Sequence, residues 1–412
     1  MGTVTAIFAD LPGPKIRIGL LGEEPLILKR GEEVSLTTGD VVGTPSLIPV
    51  DYDKLPEIVS AGDTIYLNDG FIQLGVLGTS EEEIRCSIII GGKLLSHKGL
   101  NLPGIEVPLE PVTEKDLDLA KSILEEGVDG LSISFVEKAQ DVIRIRDFAQ
   151  ELGRPVSIIA KIERGGAVKN IDEILREADG IMIARGDLGT EVPIEDVPGI
   201  QKNLICRANI FAKPVITATQ MLESMVGNVR PTRAEVTDVA NAILDGTDAV
   251  MLSEETAIGE YPVEACQMMA KIAASIEPKR YDFVHRPDPR DLWLNDEATV
   301  EDVISLNAVV ASHTLKTNFI LAPTHSGSTP RHISRFKPDS WILSFSEDLR
   351  VRNFLVLSWG VRPYLVDDGE DHDAIIEWLR RSGLARKGDR AILTAGISPE
   401  VEEADSLSVI SL

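Results

Sequence analysis

The 412-residue chain sets 66 Asp+Glu against 41 Lys+Arg, a net charge of −25, with 43% hydrophobic and 26% charged residues. That length exceeds one core and points to two or three domains, while the acidity argues against nucleic acid or an anionic membrane surface as partner. An anionic substrate stays open, because a local cluster of cations overrides the global field at short range. Cys86, Cys206 and Cys266 lie in apolar contexts and read as reduced, semi-buried thiols. No apolar run approaches the ~20 residues that span a bilayer. The first six residues carry neither a charged leader nor a myristoylation pattern. The expectation is a cytoplasmic protein.

In chain order, a β-branched run at Thr3–Phe8 leads to Asp10 and the turn-rich Leu11-Pro12-Gly13-Pro14. From about Ile18 to Gly104 short strands are predicted at Leu26–Leu28, Glu33–Leu36, Thr64–Leu67, Phe71–Leu74 and Ile84–Ile90. Only Tyr52–Val59 hints at a helix, so this stretch reads as an inserted all-β module. Beyond Thr113 the rhythm alternates. Helices are predicted at Asp116–Glu126, Ala139–Leu152, Asn170–Glu177, Val197–Ala212, Arg233–Asp245 and Pro262–Ser275. Strands fall between them at Gly130–Phe135, Ser157–Glu163, Gly180–Ala184, Pro214–Thr219 and Ala249–Ser253. Parallel strands with helical crossovers indicate an α/β barrel. After a Pro-, Asp- and Arg-rich linker, Ile276–Asp296, strands at Phe319–Ala322, Trp341–Phe345, Arg362–Leu365, Arg390–Thr394 and Leu407–Leu412 are predicted. Helices at Val300–Thr314, Thr329–Phe336, Leu349–Leu357 and Ala374–Ser382 make this an open, doubly wound sheet.

The chemistry concentrates mid-chain. Ala160-Lys161-Ile162-Glu163 and Ala184-Arg185-Gly186-Asp187-Leu188-Gly189 each close an apolar run, which puts one lysine and two carboxylates at strand carboxyl ends. Residues i and i+2 of a strand share a face, so Lys161 and Glu163 reach the same mouth. Hard oxygen ligands suit Mg²⁺, and an ammonium offsets charge on a phosphoryl group. Taken singly, the same residues also fit a salt-bridged lysine and two helix caps.

Laid end to end, the segments resemble pyruvate kinase. The runs that carry the likeness are Ala9-Asp10-Leu11-Pro12-Gly13-Pro14-Lys15-Ile16-Arg17-Ile18-Gly19, Lys98-Gly99-Leu100-Asn101-Leu102-Pro103-Gly104 and the lysine–carboxylate pair. They continue through Lys213-Pro214-Val215-Ile216-Thr217-Ala218-Thr219-Gln220-Met221-Leu222-Glu223-Ser224-Met225 and from Arg230 to Ala257. The resemblance implies an α/β fold, an incomplete TIM-like (β/α) barrel with an inserted all-β lid domain and a C-terminal doubly wound α/β domain. On this reading residues 1–17 and 105–285 are the catalytic barrel, 18–104 the lid, and 286–412 a regulatory domain. It further implies a cytoplasmic glycolytic kinase, in the family usually a homotetramer, which moves the phosphoryl group of phosphoenolpyruvate to ADP, giving pyruvate and ATP.

By the same likeness Lys161 faces the phosphoryl group in flight, and Glu163 and Asp187 hold Mg²⁺. Gly186 and Asp187 amides meet the substrate carboxylate, Thr219 lies near the enolate carbon, and Ser253 and Glu255 relay a proton. Arg17 contacts phosphoryl groups, with Asp69 and Lys98 of the lid on the nucleotide. Asp10 is the remnant of a monovalent-cation site; Lys15 stands where potassium-dependent members carry Glu, so no K⁺ requirement is expected. Thr324, Ser326, Gly327, Ser328 and Thr329 would form a phosphate nest for an allosteric sugar-phosphate or nucleotide effector, a monophosphate being favoured, or else merely cap a helix.

Glu137 departs from the family, replacing a common Arg. So does the start: the chain opens at what resembles barrel strand three, giving six predicted strands against eight, and a truncated chain is the expectation. A catalytically inactive relative and a Mg²⁺-dependent lyase acting on a pyruvate enolate are the competing readings.

Overall fold

Six parallel strands carry the site-bearing half of the chain. In the computed structural model, which describes residues 4–68, 70–105, 110–280, 298–366, 372–396 and 404–412, Phe8–Leu11, Gly130–Ile133, Ser157–Ile162, Gly180–Ala184, Val215–Ala218 and Ala249–Val250 are hydrogen-bonded in that order. Gly130–Ile133, Gly180–Ala184 and Val215–Ala218 are buried at every residue, as parallel strands covered on both faces must be. Helices pack outside, joined to the sheet by a core that includes Leu131, Ile133, Ile158, Ala160, Ile181, Ile183 and Val215. Capping boxes start two of them: Thr113 with Asp116 opens Glu114–Glu125, and Thr232 with Glu235 opens Arg233–Asp245.

The first strand runs Phe8–Leu11 rather than Thr3–Phe8. Its ladder with Gly130–Ile133 decides this, and Thr3 lies outside the described residues. A side chain at Gly130 would collide with the Phe8 ring, so that pairing requires a glycine. The sixth strand is only Ala249–Val250, because it pairs on one side alone; among the described residues no ladder joins it to Phe8–Leu11. A helix at Gly165–Lys169, hidden in the sequence by its two glycines, precedes the expected one.

Residues between the first and second barrel strands form a six-stranded sheet and a two-stranded ribbon around their own core. Its central hairpin, Ile72–Thr79 with Glu83–Ile90, is longer than the alternation suggested. Gly75 and Gly78 break the pattern there, and the register shifts between Val76 and Gly78.

The C-terminal sheet has the order Val361–Leu365, Trp341–Ser346, Phe319–Pro323, Arg390–Ala395, Ser406–Ser411, parallel except for the last pair. Most of the predicted linker falls outside the described residues, as does part of the stretch before Ser406. Cys86 is buried, and burial pushes its thiol up to about 12; Cys206 and Cys266 are exposed, on outward faces of their helices, not semi-buried. Among the described residues no helix is long and apolar enough to cross a membrane.

The two α/β units are fastened at the amino-terminal ends of the barrel strands. Phe354 and Leu357 pack with Phe8, Ile159, Met182 and Ile216 inside the open sheet. Asp248 accepts from Lys337 Nζ at 2.7 Å, from Trp359 N at 2.9 Å and from Val215 N at 3.1 Å. Removing one member of a buried pair strands the other charge. Asp248→Ala is therefore expected to cost about 3–5 kcal/mol, read as a lower denaturant midpoint in urea unfolding.

Candidate functional site

Three side chains from neighbouring strand ends meet at the carboxyl edge of the sheet. Lys161, late in Ser157–Ile162, lies 3.0 Å from Glu163 Oε1 and 3.4 Å from Asp10 Oδ2, and donates to Ser134 Oγ at 3.0 Å. Burial lowers the lysine's affinity for its proton, but Glu163 and Asp10 outweigh that and hold the ammonium above its ordinary range. Glu163 is almost wholly buried; its second oxygen accepts from Phe135 N at 2.8 Å. Burial raises the Glu163 carboxyl, Lys161 pulls it down, Asp187 pushes it up again, and the net direction is upward. The Asp187 charge thus disfavours a second charge on Glu163.

Asp187 sits in the first turn of Arg185–Glu191, the helix that leaves Gly180–Ala184 directly. Its Oδ1 accepts from Lys15 Nζ at 2.6 Å, a contact between residues 172 positions apart that no local pattern reveals. Gly186 N–H donates to Thr219 Oγ1 at 2.8 Å, and Thr219 Oγ1 donates to the Ala218 carbonyl at 2.7 Å. Thr219 and Gln220 both have left-handed backbones, φ 65° and 53°. Each such residue costs on the order of 1–3 kcal/mol and persists only where its surroundings hold it. Arg185 does the holding: it donates to the Ala218 carbonyl at 3.2 Å and the Thr219 carbonyl at 2.8 Å, and pairs with Asp238 at 2.7 Å.

The remaining predicted residues are spread around this centre. Arg17 is exposed and donates to the His97 carbonyl at 2.9 Å, at the root of the all-β module. Lys98 is half-buried beside it, and Asp69 lies outside the described residues. The module touches the Asp187 helix: a Cβ on Gly70 would stand 3.5 Å from Thr190. Ser253 Oγ is buried with no partner among the described residues. Glu255 is fully buried and spends its oxygens on backbone, accepting from Leu222 N at 2.9 Å and Ser253 N at 2.7 Å. It ties two loops together.

In the C-terminal sheet, the Thr324–Thr329 loop leaves Phe319–Pro323 where the connections reverse, a usual ligand position in open α/β sheets. Its polar groups are largely engaged. Thr324 Oγ1 accepts from Gly327 N at 2.9 Å and Ser326 Oγ from Ser328 N at 3.4 Å. Ser328 and Thr329 hydroxyls donate to the buried Glu301 carboxylate at 2.9 and 2.8 Å.

Sequence reasoning offered no account of Glu137, and the structure supplies one. Its carboxylate pairs with Arg164 at 2.8 Å, so the acid stands opposite a base one residue beyond Glu163. Glu191, also near Arg164, is pushed up to about 7 by burial, with Arg164 opposing and the Glu137 and Asp187 charges adding. Ser134 and Phe135 were missed as site residues because a side chain's hydroxyl and a backbone N–H carry no sequence signal of their own.

With this geometry in hand, comparison with known proteins is direct. Residues 1–266 match the family described as "Pyruvate kinase, barrel domain" and 302–410 the one described as "Pyruvate kinase, alpha/beta domain". A curated pyruvate kinase of Thermococcus litoralis is 48% identical over 394 residues, covering 95% of this chain and 82% of that protein. One of Thermotoga maritima is 37% identical over 411 residues, covering 99% and 87%. The crystal structure of a pyruvate kinase from Cryptosporidium parvum superimposes with a TM-score of 0.87 at 34% identity, over 99% of this chain and 84% of that one.

The raised Glu191 gives a pH signature. The folded state binds its proton more tightly than the unfolded chain, so this group's contribution to stability falls as pH rises from about 4.5 to about 7. Glu191→Gln is expected to remove that loss: its melting temperature, measured between pH 5 and pH 8, should decline less than the parent's.

Proposed function

The chain belongs to the pyruvate kinase family, and on that premise we propose that it passes the phosphoryl group of phosphoenolpyruvate to ADP at the mouth of the six-stranded sheet, with Lys161, Glu163 and Asp187 at the centre. What supports the reading is one observation: at adjacent strand ends a partly buried Lys161 lies 3.0 Å from the buried Glu163, and Asp187, whose charge raises the Glu163 carboxyl, is paired with Lys15 at 2.6 Å. In this scheme residues 1–17 and 105–285 act as catalytic barrel, 18–104 as lid and 286–412 as C-terminal regulatory unit.

The donor set fits Mg²⁺. Glu163 and Asp187 offer hard oxygens that repel each other, and Mg²⁺ takes one or two carboxylates while keeping substrate and water oxygens. Among the described residues no group of three His, Cys, Asp or Glu forms a fuller cage. When bound, Mg²⁺ supplies charge neutralisation to the phosphoryl oxygens.

The protein's own part is positioning. Lys161, kept charged by Glu163 and Asp10, places a fixed ammonium where negative charge moves between oxygens. The amides of Gly186 and Asp187 are assigned the substrate carboxylate, which would take over the bond Gly186 N–H now gives to Thr219 Oγ1, and Thr219 is assigned a place beside the reacting carbon. Ser253, whose buried hydroxyl has no partner among the described residues, is assigned a water that relays a proton, and Glu255 positions it through its backbone. Arg17 is assigned the phosphoryl groups, Lys98 and Asp69 the Mg²⁺-bound nucleotide, and the lid, touching Thr190, the exclusion of water from the transfer. An effector at Thr324–Thr329 would carry one phosphate, and to bind it Ser328 and Thr329 would have to release their bonds to Glu301. A cytoplasmic homotetramer is the setting we assign.

A coupled assay for ATP formed from phosphoenolpyruvate and ADP tests the scheme. Lys161→Met is expected to lower kcat on the order of 10²–10³-fold without changing the far-UV spectrum; full activity in that variant would overturn it. Lys15 already sets an ammonium 2.6 Å from Asp187, so a monovalent cation has no charge left to supply. Replacing Na⁺ by K⁺ in the same assay should leave the rate unchanged, and strong activation would refute that assignment.

A further inference from the structure

Glu163 owes its orientation to a residue that has no part in the chemistry above. Phe135, whose N–H donates to Glu163 Oε2 at 2.8 Å, has a left-handed backbone with φ 56°, which an aromatic residue rarely adopts. Something must hold it there. On one side its ring packs against Gly13, where a Cβ would come within 2.9 Å of the ring, so the turn after the first strand closes directly onto it. On the other side the Arg164 guanidinium lies 5.1 Å from the ring centroid, within cation–π range. Arg164 is in turn fixed by Glu137 at 2.8 Å, and both Arg164 and Phe135 are largely buried.

We propose that Arg164 is a positioning residue that sets the divalent-metal affinity of the site by clamping Phe135, whose amide fixes the Glu163 carboxylate. The proposal rests on the reading of Glu163 as a metal ligand. It gives Glu137 a purpose: the acid anchors the guanidinium over the ring. Outer-shell partners of metal-ligating carboxylates typically change affinity 10–100-fold when removed.

The test is direct Mn²⁺ binding to the intact chain without substrates, followed by the electron paramagnetic resonance of free Mn²⁺, with melting temperature recorded for each variant. Arg164→Gln is expected to weaken Mn²⁺ binding about tenfold or more, and Arg164→Lys, which keeps a cation over the ring, to recover part of the loss. Phe135→Leu, which keeps apolar bulk but removes the ring, should weaken binding similarly and decides the matter if Arg164→Gln does not fold. A purely structural role would lower the melting temperature and leave Mn²⁺ affinity alone. Parental affinity in folded Arg164→Gln and Phe135→Leu, with Glu163→Gln weakened, overturns the clamp alone. Parental affinity in Glu163→Gln removes the metal reading and the clamp with it.

Discussion

A carboxylate as deeply buried as Glu163 keeps its charge only if a cation lies close by, and much of this molecule is organised around that requirement. Glu163 has Lys161 at 3.0 Å and Asp187 has Lys15 at 2.6 Å, so each acid arrives with its own ammonium. The cations come from different places: Lys161 from the strand that Glu163 follows, Lys15 from the loop after the first strand. The parallel register of the sheet is therefore a condition of the chemistry. Slipping Phe8–Leu11 by one residue against Gly130–Ile133 would turn its side chains to the opposite face and carry Asp10 away from Lys161.

Around this centre, arginines hold backbones. Arg185 grips the consecutive left-handed residues Thr219 and Gln220 through two carbonyls, and Arg164 covers the left-handed Phe135. A planar guanidinium with a fork of donors can bond carbonyls and an acid at once, which a lysine ammonium cannot match. Both arginines stand beside a proposed metal ligand or substrate amide. Strain in this site is thus confined to short loops, each tied by one rigid side chain.

Much of the architecture was legible because burial enforces period. Strands such as Gly180–Ala184 are apolar throughout since both faces are covered, and capping residues Thr113, Thr232 and Thr299 mark helix starts by local hydrogen bonding. The neighbourhood of Lys161 and Glu163 was legible too, since residues two apart at a strand end point the same way, and the two lie 3.0 Å apart. What escaped the sequence is long-range or made of backbone. Lys15 and Asp187 are 172 residues apart, and Phe135 acts through its amide. The engagement of Ser328 and Thr329 with Glu301 was invisible for the same reason: a loop rich in hydroxyls and amides reads as open to a ligand until the tertiary partner is placed.

The packing of Phe354 and Leu357 among Phe8, Ile159, Met182 and Ile216 means that the two α/β units, each with apolar clusters of its own, also share one. Their junction is not portable. Cutting the chain between them would bare the underside of the catalytic sheet to water, and recombining the C-terminal unit with a foreign barrel would succeed only where the recipient offers a cavity of matching shape beneath its strands. Evolution of one half is in that sense chaperoned by the other: a change of volume at Ile159 calls for an answering change at Phe354, some two hundred residues downstream.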